Sequence, residues 1–208
     1  MELTFYDFAF SSASYRVRIA LNLKQVDVRR VSINLLEGEQ SGADYLALNP
    51  QGLVPALVVD GQVISQSLAI IDWLDAQFPQ PRLIPAEPMA RARAMSQALQ
   101  IAADVQPLNN TRVQKYLRYD LGIDKAGVTG WVSHWMTAGL AALEAQAPDE
   151  GLFGGDQPNL ADVCLVPQMA NARRSAVPTH AFPKLERIDA MARAIDAFAR
   201  AAPDAHQT

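Results

Sequence analysis

Three short stretches in the first third of the chain carry residue types suited to holding an anion or a peptide. Phe10-Ser-Ser-Ala-Ser-Tyr-Arg16 lies where an extended run gives way to a helical one. At such a junction the first amide N–H groups of the helix have no intrahelical partner. The positive end of the helix dipole adds to them, so an anion is stabilised there. Ser11 and Ser12 add hydroxyl donors, and a thiolate at this point would have its pKa lowered, as happens to cysteines at helix N-termini. The plainer alternative is that one of these serines only caps the helix. Gln51-Gly-Leu-Val-Pro55 precedes a second extended run. Proline is tolerated at a strand start, and a cis Val54–Pro55 bond would hold a sharp turn, the commoner alternative being trans. A backbone edge left open beside that turn pairs with a peptide-like ligand through the N–H and C=O of Val54. Ser65-Gln-Ser67 opens the next helix, where Gln66 and Ser67 can take a carboxylate on helix amides or a serine can merely cap.

Other residue types point to packing rather than chemistry. His134, His180 and His206 are far apart and make no metal-ligand spacing. The single cysteine, Cys164, rules out an internal disulfide framework and fits a reducing compartment; its apolar surroundings read as core. Asn159-Leu-Ala-Asp162 resembles a capping box with Asp in place of Glu, so Asp162 is expected to cap. Trp131 and Trp135 fall at core spacing.

The elements that must position the three stretches follow from hydrophobic periodicity. Leu3 to Tyr6 is β-prone, a helix opens near Ser12, and Val26 to Ile33 reads as a strand. Ala56 to Val59 and Val63-Ile64 flank Asp60-Gly61, a two-residue hairpin turn. Ile70, Ile71, Leu74 and Phe78 then repeat at helical spacing. The order β-α-β, then a loop or short helix, then β-β-α is too short for a doubly wound sheet, and the hairpin makes part of the sheet antiparallel. Pro79, Pro81, Pro85 and Pro88 mark an extended linker, because proline fixes its own φ and disfavours helix at its predecessor. The expected division is therefore 1–80, a linker over 81–88, and an all-helical 89–208. Residues 89 to 117 read as one helical stretch that Pro107 must kink or break, since an interior proline costs about 3 kcal/mol. Val128 to Leu143 and Leu185 to Phe198 mark further helices, and the tail after Ala201 is expected to fray.

Composition narrows the function classes. The 208 residues are half hydrophobic and carry a net charge of −4, which gives no electrostatic case for nucleic acid or an anionic membrane surface. No run of about 18 apolar residues exists, and the acidic second residue argues against a signal peptide. The expectation is a soluble cytoplasmic protein with no metal, no nucleic acid and no membrane partner.

Taken together, the order and spacing of Ser11 to Leu21, Leu48 to Pro55, Gln66 to Ile71, Gln106 to Asn110 and Leu160 to Gln168 resemble the glutathione transferase superfamily. The likeness is closest to its zeta class of maleylacetoacetate and maleylpyruvate isomerases. The resemblance implies an α/β thioredoxin-like N-terminal domain followed by an all-α C-terminal domain, with glutathione as cofactor. It implies Ser11, Ser12, Ala13, Ser14, Tyr15 and Arg16 around the thiol, with Ser11 or Ser12 catalytic. It also implies Gln40, the Val54 main chain, Gln66 and Ser67 along the tripeptide, with Gln106, Asn110, Thr111 and Arg112 from the helical part. Arg16, Arg112 and Arg174 are the implied carboxylate contacts for substrate, with Arg173 a further candidate. Tyr6, in a strand, and Tyr15, inside the helix, are worse placed than the serines to activate a thiol. A homodimer is implied as well. The implied reaction is cis–trans isomerisation of a maleyl-type oxo acid in aromatic catabolism. Conjugation of glutathione to an electrophile, or ligand binding without chemistry, are the alternatives. Two positions depart from the family pattern: Ala13, where a cysteine is usual, and Phe10, where some relatives carry arginine.

Overall fold

The structure is a computed structural model and describes residues 1–206. The chain packs as two compact units, one comprising Met1–Leu83 with the segment from Ile195 onward, the other Ile84–Ala194.

The first unit opens with β1 (Leu3–Asp7), α1 (Ser12–Lys24) and β2 (Arg29–Ser32), then α2 (Ala43–Leu48), β3 (Ala56–Val59), β4 (Gln62–Ser65) and α3 (Ser67–Gln77). The strands lie in the order β2-β1-β3-β4. β1 and β2 are parallel, as a helical crossover requires, and the other pairs are antiparallel. Asp60 and Gly61 both have positive φ, the conformation a two-residue hairpin turn demands. Phe5, Ile19, Leu57, Ile70, Ile71 and Leu74 are fully buried and join α1 and α3 to the sheet. Tyr6, alternating to the opposite face from Phe5, packs with Phe8, Val31, Ile33, Tyr45 and Val54 against α2.

Buried charges brace this unit. Arg18 donates to Asp7 Oδ1 at 2.7 Å, and Arg30 pairs with the other oxygen. Lys24 Nζ spends its three donors on Asp75 Oδ1 at 2.6 Å and on the carbonyls of Phe78 and Pro81, each at 2.7 Å. Asp75 Oδ1 also accepts from Leu83 N at 2.7 Å, so the proline-rich segment is tied down.

The second unit contains α4 (Pro88–Leu99), a π-helical segment over Gln100–Val105, α5 (Thr111–Lys115), a π-helical segment over Tyr116–Asp120, α6 (Lys125–Glu144), α7 (Leu160–Arg174) and α8 (Pro183–Arg193). The helix does break around Pro107: residues 106–109 form a turn, as the missing proline N–H requires, and Asn110 starts the next helix as its cap. Gly139 of α6 faces Val105, where a Cβ would come within 2.1 Å of a Val105 methyl, so these two segments pack without a side chain between them. α7 is buried nearly all round and carries the capping box, with Asn159 Oδ1 accepting from Asp162 N, and also from Ala161 N, and Asp162 Oδ2 accepting from Asn159 N.

The last helix expected from periodicity is two helices. α8 ends at Arg193, Ile195 is extended, and α9 (Asp196–Ala199) begins afresh and packs on α1 in the first unit. The tail does not fray at Ala201. Arg18 Nε donates to Ala201 O at 2.9 Å, and Pro203–His206 forms a 3-10 turn. Gln207 and Thr208 lie outside the described residues. Among the described residues, no helix is long and apolar enough to cross a membrane.

Candidate functional site

Strand register gathers the three sequence stretches. Tyr6 pairs with Ala56, and Ala56 with Ser65, so the end of β1, the start of β3 and the end of β4 lie at one end of the sheet. The Ser11, Val54 and Gln66 segments each emerge from that end.

Ser11 is the N-cap of α1, with its Oγ accepting from Ser14 N at 3.2 Å. Ser12 and Ala13 open the helix, and the first turn carries no acidic side chain to cancel the positive dipole end. Ser12 is buried. The fully buried Ser14 hydroxyl has no hydrogen-bond partner among the described residues. Tyr15 turns inward, with its Oη 3.5 Å from the Phe198 carbonyl and the Arg18 guanidinium over its ring. Arg16 is 1% exposed and donates through Nη1 to Ser67 Oγ at 3.2 Å. It joins the starts of α1 and α3 and places a buried positive charge beside Ser67.

Gln66 caps α3 with φ 72° and ψ 120°, a conformation that costs a residue with a Cβ about 1–3 kcal/mol and marks functional segments. Its side chain does not cap the helix. Nε2 donates instead to Gln51 Oε1 at 3.1 Å. The α3 first turn also lacks an acidic residue. Val54 lies just outside the β3–β4 ladder, and the Val54–Pro55 bond is cis. Gln40 sits in a 3-10 turn (Glu39–Ser41), and its Oε1 is buried without a partner among the described residues. Gly52, at φ 61°, lets the Gln40 carbonyl approach; a Cβ there would lie 3.1 Å from that oxygen.

The helical unit presents the remaining candidates. Gln106 is half-buried in the turn after the π-helical segment. Asn110 caps α5, with Oδ1 accepting from Arg112 N at 3.0 Å, and the Thr111 and Arg112 side chains are exposed. Arg173 is taken by Asp189 and Glu186, at 2.5 and 2.9 Å. Arg174, at the C-terminal end of α7, donates to Asn171 Oδ1, and partial burial lowers its pKa. Cys164 is buried within α7, as core packing requires.

Two polar residues beside the Val54 turn escaped the sequence reading. Tyr45 Oη donates to the Leu53 carbonyl at 2.7 Å, and Asn49 Nδ2 donates to the same oxygen at 2.8 Å. The signal for Asn49 was present in Asn49-Pro-Gln-Gly52, whose Asn side chain accepts from the N–H two residues on, here Gln51 N at 3.2 Å. Tyr45 gave no such local signal.

The family of glutathione S-transferase N-terminal domains matches residues 10–77. The chain is 45% identical to maleylacetoacetate isomerase of Pseudomonas aeruginosa, over 95% of this chain and 94% of that protein. Among solved structures it superposes with TM-score 0.94 on a holo maleylpyruvate isomerase described as a bacterial zeta-class glutathione S-transferase. That pair is 42% identical, with 98% of each chain covered. It superposes with TM-score 0.90 on maleylacetoacetate isomerase of Methylobacterium extorquens AM1 with bound malonate and glutathione, at 38% identity and 96% coverage of each chain. The chain thus belongs to the glutathione transferase family, in its zeta class.

Proposed function

We propose that this protein is a glutathione-dependent cis–trans isomerase of a maleyl-type oxo acid, maleylacetoacetate or maleylpyruvate, in aromatic catabolism. The observation that carries the proposal is near-full-length likeness to isomerases, combined with an acid-free helix N-terminus bearing Ser11 and Ser12.

The residues present fit the tripeptide. Its thiolate matches the start of α1, and its γ-glutamyl carboxylate matches the start of α3, where Gln66, Ser67 and the Arg16 charge converge. The Val54 main chain offers an N–H and a C=O to the cysteinyl backbone, and the buried Gln40 Oε1 offers an acceptor. Ala13, Ser14 and Tyr15 follow Ser12 in the first turn of α1, beside the proposed thiol position. When bound, glutathione supplies a thiolate that adds to the cis double bond and leaves after rotation about the resulting single bond, so it is regenerated. Ser11 and Ser12 hold the sulfur as an anion by hydrogen bonding, alongside the Ser12 and Ala13 amides. Arg112 and Arg174 are assigned to the carboxylates of a dianionic substrate, and Gln106, Asn110 and Thr111 to glutathione contacts from the helical part. Arg173, already paired with Asp189 and Glu186, is not assigned to substrate in this reading. In this reading residues 1–80 form the glutathione-binding domain and residues 89–208 the substrate domain, apart from the returning segment from Ile195, which packs with the first unit. The protein works as a homodimer in the cytoplasm, whose reducing poise suits a lone buried cysteine and a free thiol cofactor.

The deciding assay follows the ultraviolet spectrum of maleylacetoacetate and maleylpyruvate with glutathione far below substrate. Substrate turnover many times the glutathione present is the expected result. Thiol loss in step with substrate loss would replace isomerisation by conjugation, the reading favoured by alanine at 13 and by Phe10, an exposed apolar ring.

A further inference from the structure

We propose that Tyr45 and Asn49 are positioning residues for the glutathione-binding turn, aiming the Val54 N–H by holding the Leu53 carbonyl from two sides; this rests on the assignment of Val54 to the cysteinyl backbone. A carbonyl oxygen has two lone pairs, and here the Tyr45 phenol and the Asn49 amide take them at 2.7 and 2.8 Å. The Leu53–Val54 peptide is planar and trans, so fixing its oxygen fixes its N–H in the opposite direction. That N–H belongs to Val54. The device therefore acts one peptide unit away from the ligand and touches no reacting atom.

The side chains are built for this task. Tyr45 is the one buried residue of α2, whose Ala43, Asp44, Leu46 and Ala47 are exposed, so the short helix is docked by this ring. Asn49 is 3% exposed and is itself held on two further sides: its N–H donates to Tyr45 O at 2.7 Å, and its Oδ1 accepts from Gln51 N. Burial pushes the Tyr45 phenol up in pKa, keeping it a donor across the physiological range. Gln51 then links the turn to Gln66 at 3.1 Å, so one continuous set of bonds runs from α2 through the Val54 turn to the start of α3.

The test uses the full-length protein, Tyr45→Phe, Asn49→Ala and two ligands. Glutathione carries the cysteinyl carbonyl that the Val54 N–H meets; γ-glutamylcysteamine keeps the γ-glutamyl arm and the thiol and lacks that carbonyl. Tyr45→Phe is expected to weaken glutathione binding by calorimetry, and to raise its KM, about fivefold, the worth of one ordinary hydrogen bond. At saturating glutathione kcat should stay within about twofold, and binding of γ-glutamylcysteamine should change by less than about twofold. Asn49→Ala should behave alike with a larger loss, because it also removes the Asx turn; if it does not fold, Tyr45→Phe decides alone. Unchanged glutathione binding in Tyr45→Phe overturns the proposal. Equal weakening of both ligands overturns it too, because that is general loosening rather than aim. Failure of the unaltered protein to bind glutathione is a different result: it removes the glutathione assignment itself, and the positioning role with it.

Discussion

A serine hydroxyl has one proton to donate and lone pairs to accept with, and at Ser11 capping and anion binding draw on different parts of it. Capping uses a lone pair, which receives Ser14 N at 3.2 Å, and leaves the proton available to an anion. Capping and catalysis are therefore compatible at this residue, and its substitution should show both. Ser11→Ala is expected to lower global stability by about 0.5–2 kcal/mol through the lost cap. It should also raise the pKa of bound glutathione, read from thiolate absorbance against pH, by roughly one unit, the lower end of what a hydrogen bond to a charged group is worth. Ser12→Ala should move the thiol pKa without the stability loss, since Ser12 caps nothing. If neither variant moves the bound thiol's titration, the amides alone hold the anion and the catalytic role of both serines is lost. These serines were legible because a strand-to-helix boundary is a local pattern. The destiny of Arg16 was not: its bond to Ser67 spans 51 positions and exists only because α1 packs on α3. The same holds for Arg173, whose partners Glu186 and Asp189 come from the next helix.

Among the elements, boundaries set by proline show how far local chemistry reads. The linker prolines were visible, yet Pro88 stands inside α4 as its first residue, because a missing N–H costs nothing there and its φ is already helical. Glu87 then becomes the N-cap, accepting from Met89 N at 2.9 Å and Ala90 N at 2.6 Å. Those two backbone N–H groups hold its carboxyl below the ordinary value of 4.5. A depressed folded-state pKa contributes stability above the unfolded-state value and loses it as pH falls through the folded one. Glu87→Gln should accordingly melt below the unaltered protein at neutral pH, and the gap in Tm should close on acidification below the carboxylate range. A gap that persists unchanged at low pH would mean the charge at Glu87 is irrelevant to α4. By contrast, the Asn159–Asp162 box was readable outright, since both partners lie within one helical turn. Asp162 also accepts from Phe153 and Gly154 N–H, at 2.9 and 3.0 Å, and that reach beyond the box needed the fold.

For the molecule as a whole, periodicity told which face of the last segment is apolar and left open what that face meets. Leu185, Ile188, Ala192 and Phe198 recur at helical spacing, yet the first three are buried in the helical unit and Phe198 in the first unit, because the chain turns extended at Ile195. Sequence spacing cannot distinguish these outcomes, since both bury the same residues. What selects the second is polar: Arg18 Nε donates to Ala201 O at 2.9 Å and Asn22 Nδ2 donates to Ala197 O at 2.9 Å, both from α1. Arg18 is buried and its pKa is lowered, chiefly by desolvation, so loss of a partner there strands a charge. The returning segment is therefore a support for α1, the helix whose first turn is the proposed thiol site. Phe198→Ala should cost about 3–5 kcal/mol in urea unfolding, as expected for emptying a fully buried aromatic site. Because a ligand that binds only the folded state adds stability by mass action, saturating glutathione should restore part of that loss if the site survives in the folded fraction. A loss below about 1 kcal/mol would mean that α1 does not depend on the returning segment.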